Sequence, residues 1–171
     1  MMEVLDIYDD NGDVTGKTIV RGDKSVKLKK HEHIAVAVIF IENDKEEFLI
    51  QETSLEKGGE FSSTGGHVLH GETPLDAIKR EVLEELGINI YGEWIMQYGY
   101  LNYDMPLRYM FYLKKNIDIN DVNLQKEEVE SVKWMKIEEI KKLIDEDKML
   151  KSHGIMFEEM LRWRDGETDT M

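Results

Sequence analysis

The nine residues His33 to Ile41, HIAVAVIFI, form a nearly unbroken β-branched and apolar run. A strand with one wet face alternates polar and apolar side chains. A run without that alternation predicts a strand covered on both faces at the centre of a sheet. The segment EFLIQET, 47–53, follows after the polar turn ENDK and is expected to pair with it there. With 171 residues the chain has the length of one core, so a single domain is expected over 1–171.

The flanks divide into further short elements. Val4–Tyr8 and Lys17–Arg21 read as strands of an N-terminal β-hairpin occupying about residues 1–30, turned at Asn11-Gly12. The acidic turn does not fit a calcium loop, because Gly12 in the sixth position puts Ile7 first and Thr18 twelfth. The stretch LEKGGEFSSTGG, 55–66, has neither period and reads as a loop. Strands are expected over 88–102 and 107–115, joined by the turn YDMP, and over 129–137. Helical spacing of apolar residues marks 137–147 and 154–163, and the tail 165–171 is expected to fray.

Charge and composition exclude several functions. The 36 acidic and 22 basic side chains leave a net charge of −14, which repels a nucleic-acid backbone over most of the surface. The chain has no cysteine, so disulfides, thiolate metal sites and cysteine nucleophiles are all absent. No apolar run approaches the roughly 18 residues of a membrane span, and the start MMEVLDIYDDNGDV lacks a signal-peptide pattern. These features lead us to expect a soluble cytoplasmic protein with no nucleic-acid or membrane partner, and the charge still allows a small phosphorylated substrate where cations screen the site locally. The hairpin could also pair between subunits of a homodimer.

The chemistry concentrates in GGHVLHGETPLDAIKREVLEELGI, Gly65 to Ile88. Thr73 as cap, Pro74 at the first helical position and Asp76 in the first turn predict a helix that ends at Gly87. At about 100° per residue, Glu81, Glu84 and Glu85 fall within an arc of roughly 100°, beside an apolar arc of Leu75, Ile78, Val82 and Leu86. Crowded carboxylates repel, and Arg80 alone does not balance three of them together with Glu72. Hard divalent cations such as Mg²⁺ or Mn²⁺ take oxygen ligands of this kind. A lone EVLEELG is ordinarily only a solvated acidic face.

The full pattern goes further. Gly66, Glu72, Arg80, Glu81, Val82, Glu84, Glu85, Gly87 and Ile88 fit G-x5-E-x7-R-E-U-x-E-E-x-G-U, with U a bulky aliphatic residue. Its seven fixed identities arise by chance on the order of once in a million such sequences. The segment resembles the Nudix box. The likeness implies an α/β fold, the Nudix α/β/α sandwich with a mixed β-sheet flanked by helices, and a hydrolase that splits a diphosphate bond in a nucleotide-like metabolite. It further implies Glu81, Glu84 and Glu85 as ligands of Mg²⁺ or Mn²⁺, with Glu72 at longer range and Arg80 orienting the glutamates. The backbone of Gly65 and Gly66 would approach the diphosphate, and a metal-activated water would attack one phosphorus. The general base varies in the family, and Glu81, Glu127 and Glu128 are the candidates here.

Other readings stay open beside it. The flanks LDIYDDNGDVTGKTIVRG and GGEFSSTGGHV resemble the isopentenyl diphosphate isomerase branch, which uses a cysteine and a degenerate box; this chain has Gly65 at the corresponding position and a complete box. A non-catalytic Nudix-type ligand-binding domain is the second alternative, and messenger-RNA decapping the third, opposed by the charge. His31, His33, His67 and His70 could form a separate transition-metal site or contact phosphate. Among the aromatics after the box, Tyr103 is a candidate platform for a base.

Overall fold

The computed structural model describes residues 2–102 and 106–166, so Tyr103 and the residues after 166 lie outside the described residues. Strands β1 (Val4–Tyr8) and β2 (Val14–Val20) form an antiparallel ribbon in which Val4 faces Val20 and Asp6 faces Thr18. Its turn is held by Asp9, whose Oδ1 accepts the N–H of Asn11 at 2.9 Å and of Asp13 at 3.0 Å. The second strand starts earlier than Lys17 because the turn closes as soon as Asp9 is satisfied. Buried Leu5, Ile7 and Tyr8 fix the ribbon to the rest of the molecule.

The main sheet contains β3 (Ala35–Glu42), β4 (Glu47–Thr53), β5 (Phe61–Ser62), β6 (Thr64–His67), β7 (Met96–Asn102), β8 (Leu107–Lys114) and β9 (Val129–Lys136). It is mixed: β3 runs parallel to β8 from Ala35↔Leu107 to Glu42↔Lys114, while β7 lies antiparallel to β8. The apolar run of β3 is covered on both faces. Its odd positions Ala35, Ala37, Ile39 and Ile41 pack with Ile78, Val82 and Leu86 of helix α1 (Pro74–Leu86). Its even positions Val38 and Phe40 pack with Ile140 of α2 (Ile137–Asp145) and with Met156, Phe157 and Met160 of α3 (Lys151–Arg164). Phe157 lies 5.3 Å from both Phe40 and Phe48, edge-on to the latter. Period-two exposure therefore yields two apolar faces, and the architecture is an α/β/α sandwich.

Three expectations change. β3 and β4 share only the Glu42↔Phe48 pair beside their turn and then diverge, so that β6 lies along β3 and β9 along β4. The Gly/Ser-rich stretch is correspondingly not a plain loop, since it supplies β5 and β6. Glycine permits this: a Cβ on Gly65 would meet the Ala37 carbonyl oxygen at 2.7 Å. Strand pairing there comes from a distant partner, which local periodicity does not report. Lastly, 88–95 precedes the strand instead of joining it, and Trp94 is 82% exposed.

Helix α1 sits where the box chemistry needs it because its start is strongly specified. Thr73 Oγ1 accepts the Asp76 N–H at 3.1 Å, Asp76 Oδ2 accepts the Thr73 N–H at 3.2 Å, and Gly87 closes the helix with φ 68°. Thr73→Ala is expected to cost about 1 kcal/mol and lower the melting temperature by about 2–4 °C, as measured by thermal unfolding.

Candidate active site

Glu81 and Glu85 adjoin the buried stripe of α1 and stand between helix and sheet, whereas Glu84 is exposed, with 51% of its side chain accessible. β6 passes directly beneath them. A Cβ on Gly66 would come within 2.2 Å of the Glu81 carboxyl carbon, so only glycine leaves room for that carboxylate over the strand.

Arg80 organises the group. Its Nε donates to Glu72 Oε2 at 2.7 Å and its Nη2 to Glu72 Oε1 at 3.1 Å, a bidentate fork. Nη1 donates to Glu81 Oε1 at 3.0 Å and Glu84 Oε2 at 3.2 Å, and Nη2 also donates to the His67 carbonyl at 3.0 Å. One planar cation thereby joins the box loop, the helix and the end of β6.

A cavity of about 180 Å³ opens beside this group, and its lining includes Gly65, Gly66, Glu81, Glu84, Glu85 and Glu128. Burial pushes the Glu81 carboxyl up to about 7, against the pull of Arg80. Burial, and then the charges of Glu81 and Glu128, push Glu85 up to about 8. Gln51 helps to hold Glu85 while its own Oε1 accepts the Thr64 hydroxyl at 3.0 Å. Glu85 Oε2 nevertheless is buried without a hydrogen-bond partner. Buried polar atoms are rarely left so, and the cost of leaving one unpaired is about 1–3 kcal/mol or more. Among the described residues no three His, Asp or Glu side chains are already gathered as a ligand set. The donors suit a hard divalent cation all the same: they are carboxylate oxygens, they are crowded, and one lacks any partner.

Most residues expected at the site come together, and some do not. Glu72 is engaged by Arg80 and by the Leu69 N–H at 2.9 Å, and it lies outside the cavity lining. Glu128 lines the cavity and pairs with Lys57 Nζ at 3.3 Å, whereas Glu127 contributes its carbonyl to the Ser54 hydroxyl at 2.9 Å and lies outside the lining. The four histidines do not converge. His31 and His33 both contact Asp10, and His70 Nδ1 meets Asp6 Oδ1 at 2.7 Å. His67 alone lines the cavity, and burial followed by the charge of Arg21 lowers it to about 4, so it is neutral at neutral pH.

Glu3, Arg21 and Gln125 also line the cavity and were not anticipated. Gln125 stands three residues before Glu128 in the same acidic loop, which is the sequence signal for it. For Glu3 and Arg21 no local signal exists, because they arrive on the docked ribbon.

The NUDIX domain family model matches residues 31–155. An uncharacterised Nudix hydrolase of Listeria monocytogenes is 33% identical over 146 residues, covering 83% of this chain and 85% of the relative. The crystal structure of DR0079 from Deinococcus radiodurans superposes with a TM-score of 0.69 at 20% identity, covering 82% of this chain and 88% of that one. The NUDIX domain of Shewanella oneidensis NrtR, crystallised with ADP ribose, gives 0.63 at 14% identity over 85% of this chain and 93% of its own. The chain belongs to the Nudix family and is a Nudix pyrophosphohydrolase. Members of this family generally work with divalent cations on phosphorylated nucleotide derivatives. No helix among the described residues is long and apolar enough to cross a membrane.

The raised carboxyls carry a stability consequence. Between the ordinary carboxylate range and about 8, folded Glu85 keeps a proton that the unfolded chain releases, so metal-free stability falls as pH rises through that window. Glu85→Gln should match the wild type near pH 5 and exceed it at pH 8 by on the order of a few kcal/mol, read from metal-free melting curves across pH.

Proposed function

We propose that this protein hydrolyses the diphosphate bond of a small nucleotide-like metabolite, as a single domain using Mg²⁺ or Mn²⁺ held by Glu81, Glu84 and Glu85. The observation that carries the reading is the pair of partly buried Glu81 and buried Glu85, with both carboxyls raised and one Glu85 oxygen unpartnered. An isolated acidic surface would leave these groups solvated at their ordinary values.

A divalent cation bound there would supply charge neutralisation on the phosphate oxygens and acidify the attacking water. The chain's own groups do the rest. Arg80 keeps Glu81 and Glu84 turned toward one another's neighbourhood, and Glu72 fixes Arg80 from behind, a positioning role. The backbone of Gly65 and Gly66 lets the diphosphate approach the sheet without a side chain in the way. Glu128, at the cavity edge and paired with Lys57, takes the proton from water as it attacks one phosphorus and the bridging P–O bond breaks. Glu127 has no such access. The complete set of acids favours catalysis over the binding-only alternative, although the NrtR domain of similar fold was crystallised with ADP ribose.

The test is a metal-dependent hydrolysis screen over nucleoside di- and triphosphates, nucleotide sugars, ADP-ribose and dinucleoside polyphosphates. Glu84→Gln and Glu85→Gln should each lower kcat/KM by at least roughly 100-fold, about 2.7 kcal/mol of transition-state stabilisation. Retained activity in both variants would overturn the metal assignment. Between the two neighbouring acids, Glu128→Gln should lose at least about tenfold in kcat while Glu127→Gln stays within about threefold.

A further inference from the structure

The N-terminal ribbon brings a cation into a cavity otherwise rich in carboxylates. Arg21 and Glu3 stand opposite one another on the ribbon: the Arg21 N–H donates to the Glu3 carbonyl at 2.9 Å, and Arg21 Nη1 donates to Glu3 Oε1 at 2.7 Å. Both side chains line the cavity with Glu81, Glu84, Glu85 and Glu128. Among the described residues that line it, Arg21 alone bears a permanent positive charge, since Arg80 is turned to its own acids and His67 is neutral.

The ribbon is not a loose flap. His70 N–H donates to the Val4 carbonyl at 2.8 Å, Gly71 N–H to Asp6 Oδ2 at 3.0 Å, and Tyr8 and His33 exchange backbone hydrogen bonds at 2.7 and 2.9 Å. Those contacts secure β1 to the loop that precedes α1 and to the segment that leads into β3, and β1 in turn positions Arg21 at the cavity. An exposed ion pair by itself contributes little to stability. The Arg21 side chain is 49% exposed, so its fork is open to a ligand while Glu3 holds its direction.

Carboxylates draw cations and repel phosphate, so the substrate oxygens that face the ribbon need a donor from the protein. A guanidinium offers parallel N–H groups that match two oxygens of a phosphate. We infer that Arg21, oriented by Glu3, is a substrate-binding residue that grips a phosphate of the diphosphate group, which makes the N-terminal ribbon part of the substrate site. The inference rests on the diphosphate-hydrolase reading above.

The probe is methylenediphosphonate, a non-hydrolysable diphosphate without a base, titrated by calorimetry into the full-length protein in the presence of Mn²⁺. Arg21→Gln should weaken its binding by at least about tenfold, Arg21→Lys by less because charge survives without the fork, and Glu3→Gln by less than Arg21→Gln. With a turned-over substrate the Arg21→Gln loss should fall on KM, with kcat within about threefold. Binding by Arg21→Gln within about twofold of wild type would overturn the inference. So would equal losses in Arg21→Gln and Glu3→Gln, which would mean that the pair only staples the ribbon, or a wild type that does not bind the probe. A wild type that binds it in an Arg21-dependent way yet hydrolyses nothing in the screen would keep this inference and remove the hydrolase reading.

Discussion

Arg80 is the interaction on which the site depends. Its single guanidinium reaches Glu72 in the loop, Glu81 and Glu84 on the helix and the His67 carbonyl at the end of β6. Remove that cation and four negatively charged or electron-rich groups face one another with no common partner. A planar fork with several donors does what a lysine point charge could not, because the acceptors lie on different elements and in different directions. Glu85 is the one box acid outside this arrangement, and it carries the buried oxygen without a donor. The protein thus satisfies three acids internally and leaves a fourth, Glu85, with a buried oxygen that no donor reaches.

Beneath this lies the two-faced strand. β3 contributes Ala35, Ala37, Ile39 and Ile41 to one core and Val38 and Phe40 to the other, so α1 and the pair α2 and α3 are fastened to opposite sides of one sheet. The divergence of β3 from β4 makes room for β6, and β6 carries Gly65 and Gly66 under the glutamates. Both glycines answer to contact rather than to chain flexibility: one would strike a carbonyl of β3, the other a carboxyl of α1. Packing and site geometry are therefore set by the same few backbone atoms.

Much of this was legible in the residues. The helix boundaries followed from Thr73, Pro74 and Gly87, and the acid stripe beside the apolar one followed from helical geometry. The sandwich followed from the resemblance that the spaced acids and glycines carry. What escaped was non-local. Strand β6 looked like a loop because its partner lies some thirty residues back, and the placements of Glu127 and Glu128 could not be told apart because neighbours in a loop turn in directions that only the surrounding contacts decide. The histidines suggested a cluster by their nearness in sequence, yet Asp10 and Asp6 draw three of them aside.

By itself the sequence determined the local elements, the helix that bears Glu81, Glu84 and Glu85, and the class of chemistry those acids suit, because capping, periodicity and residue spacing act over a few positions. Only the tertiary structure decided which acids are buried and raised, that Glu72 serves Arg80, and that Arg21 and Glu3 reach the cavity from the far end of the chain. Those outcomes depend on desolvation and on the docking of distant strands, and neither is written in the order of neighbouring residues.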